Sequence, residues 1–264
     1  MNVWCCARRL LAVLVVTAGC AQADMVEMAV TRDATIYSDV SALPLANGSG
    51  QYLFAGVNGP NNDGNVRRAM LYFDVLGVLP VGALVTSATL RVTVDRVPFG
   101  APASDIFLHR ATAGWGEGPS DPTGLEGTGA TALTGDATWT DSFLGVTAWA
   151  TPGGDFDAAA SASLSAGDVG AYFFAAPQMV ADINTWLLNP AANLGWFMVG
   201  DETGSRNARR FISGDLGDPD AEPLLVLGFV VVPEPGVLGL VLAGVMTLIA
   251  RRIKRGAGSR SSWR

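Results

Sequence analysis

The chain has 264 residues, a formal net charge of -7, three cysteines and a single histidine. All three cysteines lie within the first 20 residues. The rest of the chain therefore cannot form a disulfide framework, a cysteine zinc site or a thiol nucleophile. The only lysine, Lys254, lies near the C-terminus, which excludes a P-loop or Schiff-base lysine from the body. Residues 24–232 carry nine arginines against 23 acids, a charge of -14. This charge predicts no nucleic-acid partner, because nucleic acids carry dense negative charge.

The N-terminus, residues 1–23, has the features of a secretory signal peptide. Two arginines precede an apolar stretch at 10–16, and Ala21-Gln22-Ala23 forms a small-x-small cleavage site. Cleavage there predicts a mature protein that begins at Asp24. An alternative interpretation takes residues 17–20 as a lipoprotein box with Cys20 lipidated.

The body, residues 24–231, has the pattern of short strands. Ser87–Val97 is the clearest, because Ala88, Leu90, Val92 and Val94 alternate with polar residues as in a half-buried strand. Further β-rich runs are separated by Gly, Pro, Asn and Asp clusters. They are Val26–Tyr37, Gln51–Val57, Val66–Val75, Asp105–Ala111, Val169–Ala175, Leu194–Val199, Arg209–Ile212 and Leu224–Val232.

Only one stretch predicts a helix. It begins at Pro177, places apolar residues at helical spacing on one face, and ends at Asn189-Pro190. Because strands do not alternate with helices, the expected fold is all-β, an antiparallel β-sandwich of jelly-roll-like form with one short helix. Residues 112–135 and 150–165 are predicted to be long loops, which are usually functional or mobile.

A set of short motifs, each present once, occurs in a recognisable order along residues 28–230. The motifs are Arg67–Asp74, Leu79–Ala83, Thr86–Val92, Trp115–Gly118, Asp136–Trp139, Thr151–Phe156, Trp186–Pro190, Asn193–Trp196, Gly200–Glu202 and Arg209–Phe211. Together they resemble the DNRLRE domain, a β-sandwich module of secreted proteins. The name-giving signature is not present, and Arg209–Ser213 is its nearest counterpart. The resemblance implies polysaccharide binding, as in some relatives, and supplies no catalytic residues.

The C-terminus combines three features in order. Pro233-Glu234-Pro235 precedes fifteen uncharged residues, 236–250, and a basic cluster that includes Arg251 and Arg252 follows. A full membrane span usually needs about 20 apolar residues, so this helix is short. The arrangement over 232–255 resembles the PEP-CTERM sorting signal, and residues 256–264 form a basic tail. The resemblance implies a Gram-negative type of cell that makes exopolysaccharide, transient insertion in the inner membrane, and an exosortase partner that cuts near Pro233-Glu234-Pro235. The alternative interpretation is a plain C-terminal membrane anchor.

Trp115, Trp139 and Trp149 flank the two long loops and are candidates for a sugar-binding platform. Glu117, in the loop beside Trp115, is a fourth candidate ligand-binding residue. A flat aromatic ring can match the C–H face of a sugar. The alternative is that these rings fold back and cover part of the sandwich. Trp186 and Trp196 occupy apolar positions of the helix and a strand and are expected in the core.

The sequence shows no set of residues that is typical of a catalytic site. Glu117 is a loop carboxylate beside Trp115, but a glycosidase needs two carboxylates and no second acid stands out. His109 lies in a predicted strand, and the chain has no Gly-x-Ser-x-Gly elbow for a triad. We therefore expect a protein that is not an enzyme.

Two groups of charged residues are candidates for ion or sugar binding. Calcium prefers oxygen ligands in loops, so a structural calcium ion is a candidate cofactor. Its candidate ligands are Asp215, Asp218, Asp220 and Glu222, with Asp155 and Asp157 as a second pair. Arg67-Arg68 and Arg209-Arg210 are adjacent pairs in strands, so one member of each is expected to point inward and need a carboxylate. The outward arginines could instead clamp an acidic sugar.

These expectations combine into one functional hypothesis and two alternatives. The hypothesis is an exported, non-enzymatic protein of the cell envelope, cell surface or extracellular matrix that binds extracellular polysaccharide. The first alternative is a structural matrix protein without sugar affinity. The second is a glycoside hydrolase or lyase.

Overall fold

A computed structural model describes residues 23–39, 43–61, 63–232, 244 and 246–248. The described part of the body is mostly antiparallel β-structure arranged like a sandwich. This confirms the all-β prediction at that level. The strands are β1 Asp24–Ala29, β2 Arg32–Tyr37, β3 Leu45–Asn47, β4 Tyr52–Val57, β5 Val66–Tyr72, β6 Ala83–Arg96, β7 Ser104–Ala111, β8 Ala130–Thr131, β9 Asp141–Phe143, β10 Thr147–Ala148, β11 Phe156–Ala166, β12 Gly170–Phe174, β13 Trp196–Gly200, β14 Arg209–Ile212 and β15 Leu224–Val231.

The predicted helix forms as α2, Pro177–Leu188, which follows a single turn, α1, at Val75–Val78. Proline is the first residue of α2, where its missing N–H leaves no hydrogen bond unmade. Met179, Ile183 and Trp186 lie on the buried face. Short 3-10 turns occur at Pro190–Ala192 and Gly214–Leu216.

The strands form two layers that join at one corner. In one layer, β6 pairs with β15, β14 and β12, while β1 extends from β15 and β4 from β14. In the other layer, β2, β5, β13, β7 and β11 pair in that order. The layers meet where β4 pairs with β5 at Gly56 opposite Arg67 and Val57 opposite Val66.

The main core lies between the two layers and is closed by α2. Trp186 of the helix and Trp196 of β13 are fully buried there, with ring centroids 4.4 Å apart. The prediction that these two rings belong to the core is confirmed. The indole N–H of Trp196 donates to the Asp182 carboxylate at 3.0 Å, so its polar atom is satisfied inside the core.

The second layer is buried on both faces along β2, β5 and β13. Successive strand residues point to opposite faces. Accordingly, Trp196 and Met198 of β13 face the main core, while Phe197 faces a second core on the outer side. In β5, Met70 likewise faces the second core. Residues of the segment 112–155 cover this outer face.

The segment 112–155 departs from and returns to one place in the sheet. Ala111 ends β7 and pairs with Phe156, which begins β11. The Thr112 amide also donates to the Asp155 carbonyl at 2.9 Å. The predicted loop over 150–165 is therefore wrong beyond residue 155, because Phe156–Ala166 is a strand. Its Ala- and Ser-rich sequence lacks the large β-forming residues that indicate a strand.

The two arginine pairs divide between the faces of their strands as expected, but the partners differ from the prediction. Arg67 and Arg209 point inward and are buried, and they donate to backbone carbonyls. Arg209 donates to the carbonyls of Ala166, Asn207 and Pro102. The outward members form the ion pairs with carboxylates: Arg68 pairs with Glu202 and Arg210 with Asp95.

Replacing Arg209 with Met is expected to lower the free energy of unfolding by about 3 kcal/mol. The change leaves buried carbonyl oxygens without donors, and each unsatisfied group costs about 1–3 kcal/mol. Urea unfolding of the full-length chain measures the loss. Arg110→Met is the matched control and should cost at most about 1 kcal/mol, because Arg110 forms a partly exposed pair with Asp157. Equal losses in the two variants would contradict the role given to Arg209.

Candidate functional site

The three candidate tryptophans do not form a common exposed platform. Trp115 and Trp149 are 1% and 5% exposed and belong to the second core. The indole N–H of Trp115 donates to the Leu194 carbonyl at 2.9 Å, and that of Trp149 to the Thr138 carbonyl at 2.8 Å. The Trp149 ring meets the Phe197 ring edge-on at 5.8 Å. These two rings hold the segment 112–155 against the sheet, so the expected platform is wrong for both.

Trp139 is the only one of the three that stays partly exposed. The Arg68 guanidinium lies 4.8 Å from its ring centroid and 5.3 Å from that of Phe156. Arg68 also donates to the Gly153 carbonyl at 2.6 Å. Gly153 has a φ of 96°, and a Cβ there would lie 2.9 Å from the Trp139 ring. Only glycine allows this close approach of the 150–155 turn to the aromatic ring.

An open cleft lies beside this stack, where the covering segment returns to β11. Its volume is about 520 Å³, and its lining combines the ring of Phe156, the guanidinium of Arg68, two threonines and a carboxylate. The lining residues are Arg68, Thr112, Ala150, Thr151, Pro152, Gly154, Asp155, Phe156 and Ala158. We call this site the β11 cleft. Thr112 and Thr151 are exposed, so their hydroxyls are accessible to a ligand.

Asp155 shapes the β11 cleft. Its carboxylate accepts hydrogen bonds from the amides of Ala150 at 2.8 Å and Thr151 at 3.0 Å. These bonds fix the turn that carries Thr151. The second proposed calcium ligand of this pair, Asp157, binds Arg110 at 2.8 Å instead. The two carboxylates are thus accounted for by contacts within the protein.

Glu117 lies away from the β11 cleft, in a group of carboxylates near β2. Its carboxylate accepts from the Asp33 amide at 2.9 Å, and burial raises its pKa. The Asp33 side chain is itself buried and accepts from the Ser213 hydroxyl and the Gly214 amide. Burial raises the pKa of Asp33 to about 7, and the charges of Asp215 and Glu117 add to this effect.

Sequence reasoning did not single out Asp33. The signal that could have found it is an acid inside the predicted β-rich run Val26–Tyr37, directly before four residues, 34–37, that are all buried. The carboxylate holds the chain after β14 against β2 through Ser213 and Gly214. The arrangement is a structural clamp, because the carboxyl oxygens are used by bonds within the protein.

The four proposed calcium ligands are not brought together. Asp218 accepts from the Asp220 amide at 3.0 Å and stabilises a turn, whereas Asp215 lies near Asp33. Within the described ranges, no group of three or more His, Cys, Asp or Glu side chains is placed to hold a metal ion. A structural calcium ion at these residues stays a prediction from the sequence.

His109 lies in β7 as expected, and its Nδ1 contacts the Asp157 carbonyl at 2.9 Å. Its ring is 5.1 Å from that of Phe156. These contacts give the side chain a structural place in the strand layer.

The predictions for the two ends of the chain fall almost entirely outside the described residues. The signal peptide with Cys20 lies outside the described residues, apart from Ala23. The sorting residues Pro233, Glu234, Pro235, Arg251 and Arg252 also lie outside them. Among the described residues, no helix is both long and apolar enough to cross a membrane.

Comparison with known proteins adds no relative. No family model matches the chain, and no curated protein matches it. The resemblances to the DNRLRE domain and the PEP-CTERM signal remain predictions from the sequence.

Replacing Trp115 or Trp149 with Ala is expected to lower the free energy of unfolding by about 3–5 kcal/mol, because each change opens a cavity in the second core. Trp139→Ala removes a partly exposed ring and should cost about 1–2 kcal/mol. Chemical unfolding followed by circular dichroism measures all three. Wild-type stability in Trp115→Ala would show that this ring is not a core residue.

The raised pKa of Asp33 predicts an unusual pH dependence of the free energy of unfolding. Between about pH 4 and pH 7 the folded carboxyl keeps its proton while the unfolded chain releases it. The folded state then binds more protons, so its stability falls as the pH rises through this window, by up to about 4 kcal/mol. Asp33→Asn cannot titrate and should flatten that part of the profile. Unfolding at a series of pH values compares the two proteins. Parallel profiles would contradict the raised pKa.

Proposed function

We propose that the chain is an exported, non-enzymatic protein that binds extracellular polysaccharide through the β11 cleft. The finer fold assignment, a jelly-roll-like DNRLRE sandwich, is part of this proposal. So is sorting by an exosortase through residues 232–255, with transient membrane insertion of 236–250. The proposal places the protein at the cell envelope, cell surface or extracellular matrix.

The open β11 cleft is the observation that supports binding. A sugar offers hydroxyls for hydrogen bonds and C–H faces for aromatic contact. The cleft offers both kinds of partner: the threonine hydroxyls at 112 and 151 and the Phe156 ring. Its volume of about 520 Å³ is within the usual range of small-ligand sites. The openness of the cleft suits a segment of a polymer better than an enclosed small molecule.

The contacts of the acidic residues support a non-enzymatic role. Glycoside hydrolysis uses two carboxylates about 5–9 Å apart, one acting as an acid. Asp155 in the cleft accepts two backbone amides, and Glu117 binds the Asp33 amide elsewhere. Among the described residues that line the β11 cleft, Asp155 is the only acid, so the cleft itself lacks the second carboxylate of such a pair.

Affinity electrophoresis of the full-length chain tests the proposal. The gels contain dextran, hydroxyethylcellulose or alginate, each with and without EDTA. We expect retardation in at least one polymer and no release of reducing ends during prolonged incubation. Unchanged mobility in every gel would favour the structural alternative, and release of reducing ends would favour the enzyme.

The double variant Thr112→Val/Thr151→Val is expected to weaken that retardation about tenfold, because it removes two hydroxyl partners while keeping side-chain shape. The change should leave stability nearly unchanged, since both side chains are exposed. Thr89→Val, a threonine on β6 outside the cleft, is the matched control and should bind like the wild type. Full retardation of the double variant would remove the β11 cleft from the proposal.

A further inference from the structure

Almost all arginines of the body are engaged by partners within the protein. Arg67 and Arg209 hold carbonyls, Arg68, Arg110 and Arg210 pair with carboxylates, and Arg32 and Arg91 donate to carbonyls. The remaining two of the nine are Arg96 and Arg206. Their exposed guanidinium groups have no hydrogen-bond or ion-pair partner in the part of the chain that the structure describes.

Both free arginines line the same cleft, which we call the arginine cleft. Its volume is about 220 Å³, and its lining residues are Phe54, Asn58, Arg96, Val97, Pro98, Arg206, Ala208 and Arg210. Both side chains are exposed, so water satisfies their guanidinium groups in the free protein. Arg96 and Arg206 are therefore available to an external anion at one cleft.

The floor of the arginine cleft is one cross-strand row. Phe54 of β4 lies opposite Arg210 of β14, which in turn lies opposite Arg96 of β6. Like charges directly opposite each other destabilise a sheet. Asp95, at the bulge in β6, offsets only one of them, because its carboxylate binds Arg210 at 2.6 Å and 2.9 Å. The row thus keeps a net positive charge.

Arg206 is held at the rim by a constrained backbone. Its φ is 48°, a left-handed conformation that costs energy for any residue except glycine. Its amide donates to the Gly59 carbonyl at 2.8 Å. The neighbouring Asn207 accepts from the Val57 amide and donates to the Asp201 carbonyl. These bonds fix the position from which the Arg206 side chain extends.

An exposed aromatic ring stands beside the cleft. Pro98 lines the cleft, and Phe99 follows it at the tip of the turn between β6 and β7, where it is fully exposed. The Ala101 amide donates to the Pro98 carbonyl at 3.1 Å, and Gly100 has a φ of 70°, as in a type II turn. A tight turn thus exposes a flat apolar ring one residue after Pro98 of the cleft lining.

The geometry points to a second binding site, in which Arg96 and Arg206 hold the carboxylate of an acidic sugar unit and Phe99 packs on its ring. This inference rests on the proposed polysaccharide binding and names a ligand class, a uronic-acid-containing polymer. Arginine suits this ligand because its planar donors match a carboxylate in a bidentate pair. The body charge of -14 does not prevent the approach, because charges more than about 8 Å away are largely screened at physiological salt.

Calorimetric titration of the full-length chain in EDTA tests the inference, with alginate as the probe. Its propylene glycol ester, in which the carboxylates are blocked, is the matched polymer. We expect alginate to bind and the ester to bind at least tenfold more weakly. Dextran sulfate distinguishes carboxylate from sulfate recognition, and binding of dextran sulfate but not alginate would overturn the carboxylate assignment.

Single variants then locate the site. Arg96→Gln and Arg206→Gln should each weaken alginate binding about tenfold, since each removes a charge-assisted contact. Arg110→Gln removes the same charge elsewhere and should change the affinity less than twofold. Phe99→Ala should weaken binding severalfold, whereas Phe173→Ala, another exposed aromatic, should not. Thermal unfolding checks that the variants are folded.

The outcomes separate this inference from the proposed function. Binding of dextran or hydroxyethylcellulose that depends on Thr112 and Thr151, without any binding of alginate, would overturn the arginine cleft and leave the β11 cleft intact. Alginate binding that survives both arginine variants would overturn the assigned site. Failure to bind any polymer would overturn both.

Discussion

The structure depends on three neighbouring strands, β2, β5 and β13, that are buried on both faces. Trp196 and Met198 of β13 fill the core between the layers, and Phe197 between them fills the second core. An apolar outer face of this kind must be covered, and residues 112–155 supply the cover. Its fixed points are the buried rings of Trp115 and Trp149, whose N–H groups bind carbonyls. The β11 cleft lies at the edge of this cover, so the packing of the second core positions its lining.

Adjacent arginines serve both sides of the strands that carry them. The inward guanidiniums of Arg67 and Arg209 bind backbone carbonyls, including those of Gly127 and Ala166. Several donors in one planar group allow one side chain to hold several loop segments. The outward neighbours pair with carboxylates at the surface. Because Arg67 and Arg209 bind carbonyls, no carboxylate has to be buried beside them, and Glu202 and Asp95 pair with the outward arginines.

The strand pattern could be predicted wherever alternation or large β-forming residues mark it. Arg209–Ile212 and the helix from Pro177 match their predicted bounds closely, and β6 is longer than the predicted Ser87–Val97 only at its start. β11 was missed because its Ala- and Ser-rich sequence resembles a loop. The single run Val26–Tyr37 forms two strands, since the chain leaves β1 after Ala29 and enters the other layer at Arg32.

Sites were harder to predict because they depend on which side chains already have partners. The sequence shows Trp115 and Trp139 as equal candidates near loops, yet the fold buries one and leaves the other partly exposed. It also shows Asp155 and Asp218 as possible metal ligands, although both stabilise turns. Arg96 has no distinguishing local pattern, because its significance is that none of the described carboxylates pairs with it. Long-range pairing of this kind is a property of the fold and has no local sequence signal.

The meeting of Ala111 and Phe156 in adjacent strands has an evolutionary consequence. The entropy of closing a loop grows only slowly with its length, and here the two ends are held together by the sheet whatever lies between them. Insertions, deletions or exchanges within 112–155 would therefore leave the ladder of β7 and β11 intact, provided that apolar side chains still cover Phe197. The framework could in this way acquire a differently shaped binding surface in one genetic event, without refolding the body that carries it.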